Sequence, residues 1–331
     1  MTSSRVRPLV YISPVTEPAY NIATEEYITM HTGRDECVLF LWQNANTIVI
    51  GRNQNLKAEV NDELFREAGG TVVRRLSGGG AVFHDLGNLN FTFCAQKRSY
   101  DLDKQLDVIL EAVRSFGIDA EKTGRNDLTA GGLKFSGNAF YRSGLQMYHH
   151  GTLLIDADTD HMKKFLSPSK AKLASKGVRS VKSRVINLSS LSSDVTVESL
   201  SEALIDSFSR LYGAPAEHYA FPDGSADEIA RRAKIFASPD WVYGKEMPSA
   251  DYTRKGKFGW GETEIRIKTD GEEVSDCVIY SDAMDQELIQ KAQESLIGEE
   301  FDDCAMSERI LSIPVEKDKV IMRDDLAKLF S

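Results

Sequence analysis

Three stretches of this 331-residue sequence bring together side chains suited to handling anions. In the first, RRLSGGGAVFHDLGNLNFTF from Arg74 to Phe93, two arginines precede three consecutive glycines, Gly78 to Gly80. Glycine lets a backbone approach a ligand closely and turn its N–H groups toward an anion, and guanidinium groups beside it neutralise phosphate or carboxylate charge. The pattern also fits a hairpin turn with solvated arginines, and it matches neither the P-loop nor the dinucleotide-binding spacing. His84, inside the stretch, reads more readily as a structural, hydrogen-bonded histidine than as an acid or base.

The second stretch carries Asn126-Asp127 in GRNDL and Lys134 in LKFSGNA. A compact ammonium can follow charge as it moves between two oxyanions, and a carboxylate such as Asp127 can share Mg2+ with phosphate oxygens. A lone lysine is more often a solvated surface group, and Asn126-Asp127 also reads as a turn. In the third stretch, His149-His150 opens HHGTLLI. Adjacent strand residues point to opposite faces, so the pair is not assigned a shared metal, and one of the two is expected to shape a pocket.

The elements around these groups alternate over short distances. Asn21 is placed as the cap of a helix burying Ala23, Tyr27 and Met30 and ending at Gly33. VLFLW and TIVIG read as strands joined by a hairpin turn at 43–46. TVVRRL, AVFHD and LNFTFC follow as strands, then a helix from Asp103 that stops at Gly117. LKFSGNAFY and QMYHHGTLLI form a strand pair joined by Arg142–Leu145, and Thr196 starts a helix ending at Gly213. The segment from Trp241 to Gly259, rich in Gly, Pro and charge, reads as a linker. Beyond it, Asp270-Gly271 signals a tight hairpin, with a helix from Asp285 and a terminal helix near 324–330. The boundary is placed between residues 247 and 248, giving domains 1–247 and 248–331.

Composition narrows the function classes. The chain is 41% hydrophobic, enough for one large core and a small second domain. No leader pattern or apolar run of spanning length occurs, so neither secretion nor membrane insertion is predicted and the expected location is cytoplasmic. Cys37, Cys94, Cys277 and Cys304 are far apart, with no disulfide or zinc spacing. A net charge of -10 argues against nucleic acid as the main partner.

The block RRLSGGGAVFHDLGN resembles the signature of lipoate-protein ligases. The similarity continues through GRNDLTAGGLKFSGNAF, HHGTLLIDAD and KLASKGVRSVKSRVINL, so matching blocks run in order from roughly Asn21 to Leu188. The resemblance implies an α+β fold: a mixed, largely antiparallel sheet flanked by helices, with a small α+β C-terminal domain. It implies ATP contacts at Arg75, Gly80, Ala81, Val82, Phe83 and Lys134, and lipoate contacts at Lys134, Arg75, Gly79 and His150. The implied reaction activates lipoic acid with ATP to lipoyl-AMP, with Mg2+ at Asp127, then transfers the acyl group to a lysine of an apo lipoyl domain. The expected acceptors are 2-oxoacid dehydrogenase E2 subunits and the glycine cleavage H protein. Ser167–Arg184, basic on an acidic protein, resembles the family's adenylate-binding loop and is expected to close over the intermediate. The rival is a lipoyl or octanoyl transferase of the same fold, drawing on a protein-bound acyl donor and in one branch using a cysteine nucleophile. Biotin ligase fits less well, since the arginine- and glycine-rich run of that family is absent. A degenerate binding protein would be expected to have lost Arg75, Gly80 or Lys134.

Overall fold

A computed structural model describes residues 6–124, 126–166 and 185–331. The basic segment Ser167–Arg184 therefore lies outside the described residues. The chain divides into two compact units. The first comprises Met1–Val49, Val60–Val73 and Val82–Ser238, and the second Ile50–Glu59, Arg74–Ala81 and Pro239–Ser331.

The first unit is built on an eight-stranded sheet of order β11-β1-β2-β6-β10-β9-β8-β7. In chain order these strands are β1 (Arg7–Ile12), β2 (Glu36–Trp42), β6 (Asn88–Gln96), β7 (Ala120–Thr123), β8 (Asp127–Ala130), β9 (Leu133–Ser143), β10 (Gln146–Leu154) and β11 (Glu217–His218). β1 runs parallel to β2 and β11, and every other pairing is antiparallel, so the sheet is mixed but largely antiparallel. A smaller sheet, β4-β3-β5, is formed by β3 (Thr47–Ile50), β4 (Thr71–Arg74) and β5 (Val82–His84).

Alternation along β6 explains the layers. Leu89, Phe91, Phe93 and Ala95 enter the main core with Leu106, Ile109 and Val113 of α4 (Leu102–Arg114) and Leu200, Leu204 and Phe208 of α6 (Val197–Tyr212). Asn88, Asn90, Thr92 and Cys94 occupy the opposite, equally buried face. α6 begins with the capping box of Thr196 and Ser199 and ends on Gly213 at φ 74°, the left-handed position that favours glycine. Along the way lie α1 (Pro18–His31), α2 (Leu56–Glu59), α3 (Asp62–Glu67) and α5 (Thr159–Phe165), with α7 (Ser225–Phe236) after β11. Arg232 of α7 grips Glu26 of α1 through bonds of 2.5 and 2.6 Å.

The second unit carries α8 (Pro239–Tyr243), then the antiparallel meander β12 (Tyr252–Phe258), β13 (Gly261–Asp270) and β14 (Glu273–Ser281). Helices α9 (Gln286–Leu296), α10 (Asp303–Leu311) and α11 (Val320–Ala327) cover it. Ile265, Ile267, Cys277 and Ile279 from the strands meet Leu288, Ala292, Met306 and Leu326 from the helices in a separate core.

Four local expectations are corrected. Glu17, not Asn21, caps α1, its carboxylate accepting from the Ala19 and Tyr20 N–H groups. Asn21 is instead buried one turn in, and its Nδ2 donates to Gln43 O at 2.8 Å. Met30 is 43% exposed and outside the core. Residues 43–46 do not close a hairpin, because β2 and β3 belong to different sheets. Much of the expected linker is regular structure, since its first residues lie in α8 and Tyr252–Phe258 is β12.

Candidate active site

Lys134 sits at the start of β9 and faces β8. Its Nζ lies 2.7 Å from Asp127 Oδ1, with the lysine side chain 28% and the aspartate 35% exposed. Register explains the meeting: Asp127 pairs across the ladder with Gly137, and a shift between Leu128 and Thr129 brings Thr129 opposite Lys134. The ammonium lies over Gly137, where a Cβ would stand 2.9 Å from Nζ. The Lys134 carbonyl accepts from Ile186 N–H at 2.9 Å, and Lys134 bridges to Val185, tying down the backbone on its other side. Asn126 and Asn138 close the end of the ladder, the Asn126 carbonyl accepting the Asn138 backbone N–H (2.9 Å) and Nδ2 (3.0 Å) while Asn126 Nδ2 donates to Asn138 O (3.1 Å).

His149 and His150 do point to opposite faces of β10. His149 stacks between Phe93 and Phe140 on the main-core side. Burial, reinforced by His150 and Lys122, lowers its pKa to about 3, so the ring is neutral at physiological pH. His150 places Nδ1 2.7 Å from Oε1 of Glu25, a fully buried carboxylate on α1. Thr92 Oγ1 donates to the same oxygen at 2.7 Å, and Trp42 Nε1 donates to Thr92 Oγ1 at 3.0 Å. Glu25 Oε2 is buried without a hydrogen-bond partner. Sequence reading missed Glu25, Thr92 and Trp42. A signal existed, since Asn21, Glu25 and Thr29 fall four apart on α1 and all are buried, a polar stripe turned inward.

The glycine-rich loop lies in the second unit. Arg74 donates to the carbonyls of Gly51, Arg52, Gln54, Trp241, Val242 and Tyr243, and Trp241 Nε1 donates back to Arg74 O at 2.8 Å. Burial and then the charge of Arg52 lower its pKa to about 10, leaving it protonated at neutral pH. Arg74 is therefore a structural knot rather than a ligand group. Arg75 curls over its own loop, with Nε donating to Ser77 Oγ (3.0 Å) and Nη2 to Gly78 O (2.6 Å) and Gly80 O (2.8 Å). Gly78 is pressed against the chain after β14, where a Cβ would stand 2.1 Å from Ala283 O, and Gly79 N–H donates to that oxygen at 3.2 Å. Gly79 has φ 89°, while Gly80 is exposed with open space where a Cβ would go.

Ala81, the last loop residue of the second unit, is half-buried; in the first unit Val82 is half-buried and Phe83 is buried, its ring 6.1 Å from that of His161 on α5. His84 is buried, with Nδ1 3.3 Å from Asn44 Nδ2, as expected of a structural histidine. The thiols do not suit nucleophilic attack. Burial pushes Cys37 and Cys277 up to about 12 and raises Cys94 well above the usual thiol range, while Cys304 is exposed on α10. Among the described residues no cluster of three or more His, Cys, Asp or Glu could hold a metal, and no helix is long and apolar enough to cross a membrane.

The described residues thus form a mixed eight-stranded sheet bearing an ammonium–carboxylate pair on one hairpin, and a separate helix-covered meander. LipL1 of P. falciparum, solved with lipoate, is similar at a TM-score of 0.82 and 28% identity, over 97% of this chain and 98% of that one. The bipartite ligase of Thermoplasma acidophilum, studied with its E2 lipoyl domain, shares the fold at a TM-score of 0.64 and 22% identity, over 75% of this chain and 100% of that one. Residues 17–209 match the lipoyl protein ligase A/B catalytic domain, and 247–330 match the bacterial lipoate protein ligase C-terminus. Lipoate-protein ligase A of Psychrobacter cryohalolentis is 38% identical over 88% of each chain, and that of Bdellovibrio bacteriovorus 34% identical over 92% of this chain and 91% of its own. The chain belongs to the lipoate-protein ligase family.

Proposed function

We propose that Lys134 is the catalytic residue of adenylation, spanning the lipoate carboxylate and the α-phosphate of ATP. The carboxylate oxygen attacks phosphorus, the bond to the β-phosphate oxygen breaks, and pyrophosphate leaves with the electron pair. In the second step a neutral lysine amine of the acceptor attacks the acyl carbon. The acyl–oxygen bond breaks, AMP departs, and the amine loses a proton. Bringing two anions together is the difficulty in the first step, and a fixed cation lowers it without reorganising. The observation that carries this reading is the Lys134 ammonium held between Asp127 and Gly137 on an anchored hairpin.

In the same reading, Arg75 and the backbone of Gly80, Ala81, Val82 and Phe83 bind ATP, while Arg75, Gly79 and His150 contact lipoate. A single carboxylate already neutralised by an ammonium suits a metal delivered with a triphosphate, not a resident ion. Mg2+ would therefore arrive on ATP, with Asp127 supplying one oxygen. The division at 247/248 separates a catalytic domain from an accessory one, and the protein works in the cytoplasm on lipoic acid and apo lipoyl domains, including E2 subunits and the glycine cleavage H protein. The depressed reactivity of the buried cysteines favours the ligase over a cysteine-dependent acyl transferase. The test is lipoate-dependent exchange of pyrophosphate into ATP, with Lys134→Ala beside wild type. Wild-type exchange with a loss on the order of a hundredfold in folded Lys134→Ala is expected. No wild-type exchange alongside acyl transfer from a protein donor would overturn the ligase reading, and near-normal exchange by the variant would overturn the role of Lys134.

A further inference from the structure

We infer that His149, which has no place among the proposed substrate contacts, is a positioning residue that sets the ladder end on which Lys134 rests. The inference builds on the reading of Lys134 as the adenylation cation. Its basis is a buried chain of polar groups whose donor and acceptor roles can be worked out in only one direction.

His149 is fully buried, with Nε2 2.8 Å from Asn138 Oδ1 and Nδ1 3.2 Å from the Gln105 side-chain amide. Asn138 cannot turn its amide around, because its Nδ2 is spent on Asn126 O at 3.0 Å. The imidazole must therefore donate from Nε2 to Asn138 Oδ1. A neutral ring carries one N–H, so Nδ1 is an acceptor and Gln105 must present its NH2 to it. That orientation gives a partner to the otherwise unpartnered Gln105 amide nitrogen. The chain then runs Gln105 to His149 to Asn138 to Asn126, each donating to the next.

Space is reserved for this chain. A Cβ on Gly151 would stand 2.9 Å from Asn138 Oδ1 and 2.7 Å from Gly137 O, so the glycine after the two histidines leaves room for the Asn138 amide. The ladder pair Asn126 and Asn138 is one residue from Asp127 and Gly137, the carboxylate and the backbone that hold the Lys134 ammonium. Releasing Asn138 from His149 frees its amide to rotate, and the two neighbours of the ammonium lose their fixed separation. Misplacement of a catalytic group by about 1 Å is enough to cost up to a hundredfold in rate.

The test uses the full chain, with His149→Leu removing the donor, His149→Gln restoring an N–H at similar reach, and Asn138→Ala as an independent break should His149→Leu not fold. Pyrophosphate exchange is measured per folded molecule against both substrates. The expectation is that His149→Leu or Asn138→Ala lowers kcat about tenfold with the KM for ATP and lipoate within about twofold, and that His149→Gln recovers most of kcat. Nitrogen-15 NMR of the histidines should show His149 protonated at Nε2. A kcat per folded molecule unchanged in both breaking variants, or protonation at Nδ1, would overturn the inference. Lys134→Ala run in parallel separates the two failures: if it keeps exchange, the reading of Lys134 falls, and if it loses exchange while the breaking variants do not, only the role of His149 falls.

Discussion

Substituting Gly137 by alanine separates the position of the Lys134 ammonium from the stability of the fold. The added Cβ would lie 2.9 Å from Nζ and 3.0 Å from Cε of Lys134, with no other non-adjacent atom of the described residues inside 4 Å. Since what it meets is the far end of a flexible side chain, the backbone can stay in place and the lysine must withdraw by about 0.5–1 Å to reach ordinary contact distance. Lengthening the 2.7 Å ion pair with Asp127 by about 1 Å removes about 1.6 kcal/mol of attraction at an effective dielectric of about 20. A comparable loss against the substrate anions amounts to about tenfold in rate, rising toward a hundredfold where orientation is also lost. Gly137→Ala should therefore unfold within about 1 kcal/mol of wild type while pyrophosphate exchange falls ten- to a hundredfold. Urea unfolding and exchange kinetics on one preparation measure both quantities. Wild-type exchange would refute the placement of the ammonium over Gly137, and a loss of stability of several kcal/mol would refute the claim that only the lysine must move.

The three glycines of the loop should behave differently. Gly78→Ala drives a methyl into the Ala283 carbonyl at 2.1 Å and breaks the Gly79 bond to it, costing about 2–4 kcal/mol with faster amide exchange in 74–81 and 281–285, whereas Gly80→Ala meets nothing among the described residues within 4 Å and should leave stability unchanged. The buried His149 predicts an acid-sensitive fold. Its native pKa of about 3 lies below the value of about 6.5 in an unfolded chain, so the unfolded state takes up the proton first and stability falls as pH drops below about 6.5, by about 1.4 kcal/mol per unit until about pH 3. Unfolding free energies from urea melts at pH 6.5 and 5.5 should differ by about 1 kcal/mol more in wild type than in His149→Gln, and parallel pH dependences would contradict the neutral buried ring.

Elements whose signals are local were legible in the sequence. The β9–β10 and β13–β14 hairpins, the capped α6 and the α9 start at Asp285 all follow from adjacent residues. Partner choice between sheets was not, because nothing in 43–46 records that β3 pairs with β4 and β5 instead of β2. The same limit hid Glu25: its burial depends on Thr92 and His150, distant in sequence, and a second glutamate beside it at 26 is half-exposed and gripped by Arg232. Lys134 and the glycine loop stood out by residue type, yet the reservation of Gly151 for the Asn138 side chain becomes visible only when both strands are in register.

The Arg74 knot also has a consequence for how the protein is made. Its partners at Trp241 to Tyr243 follow it by 167 to 169 residues. At a synthesis rate of about 5–20 residues per second, those carbonyls leave the ribosome about 10–30 s after Arg74 does. Over that interval the strand that leads into the glycine loop lacks half of the acceptors that fix it, and Gly78 and Gly79 lack the Ala283 carbonyl entirely. The nascent chain thus carries its lysine hairpin before its glycine-rich loop is set, so that residues translated well after that hairpin, Trp241–Tyr243 and Ala283, decide when the loop takes its final shape.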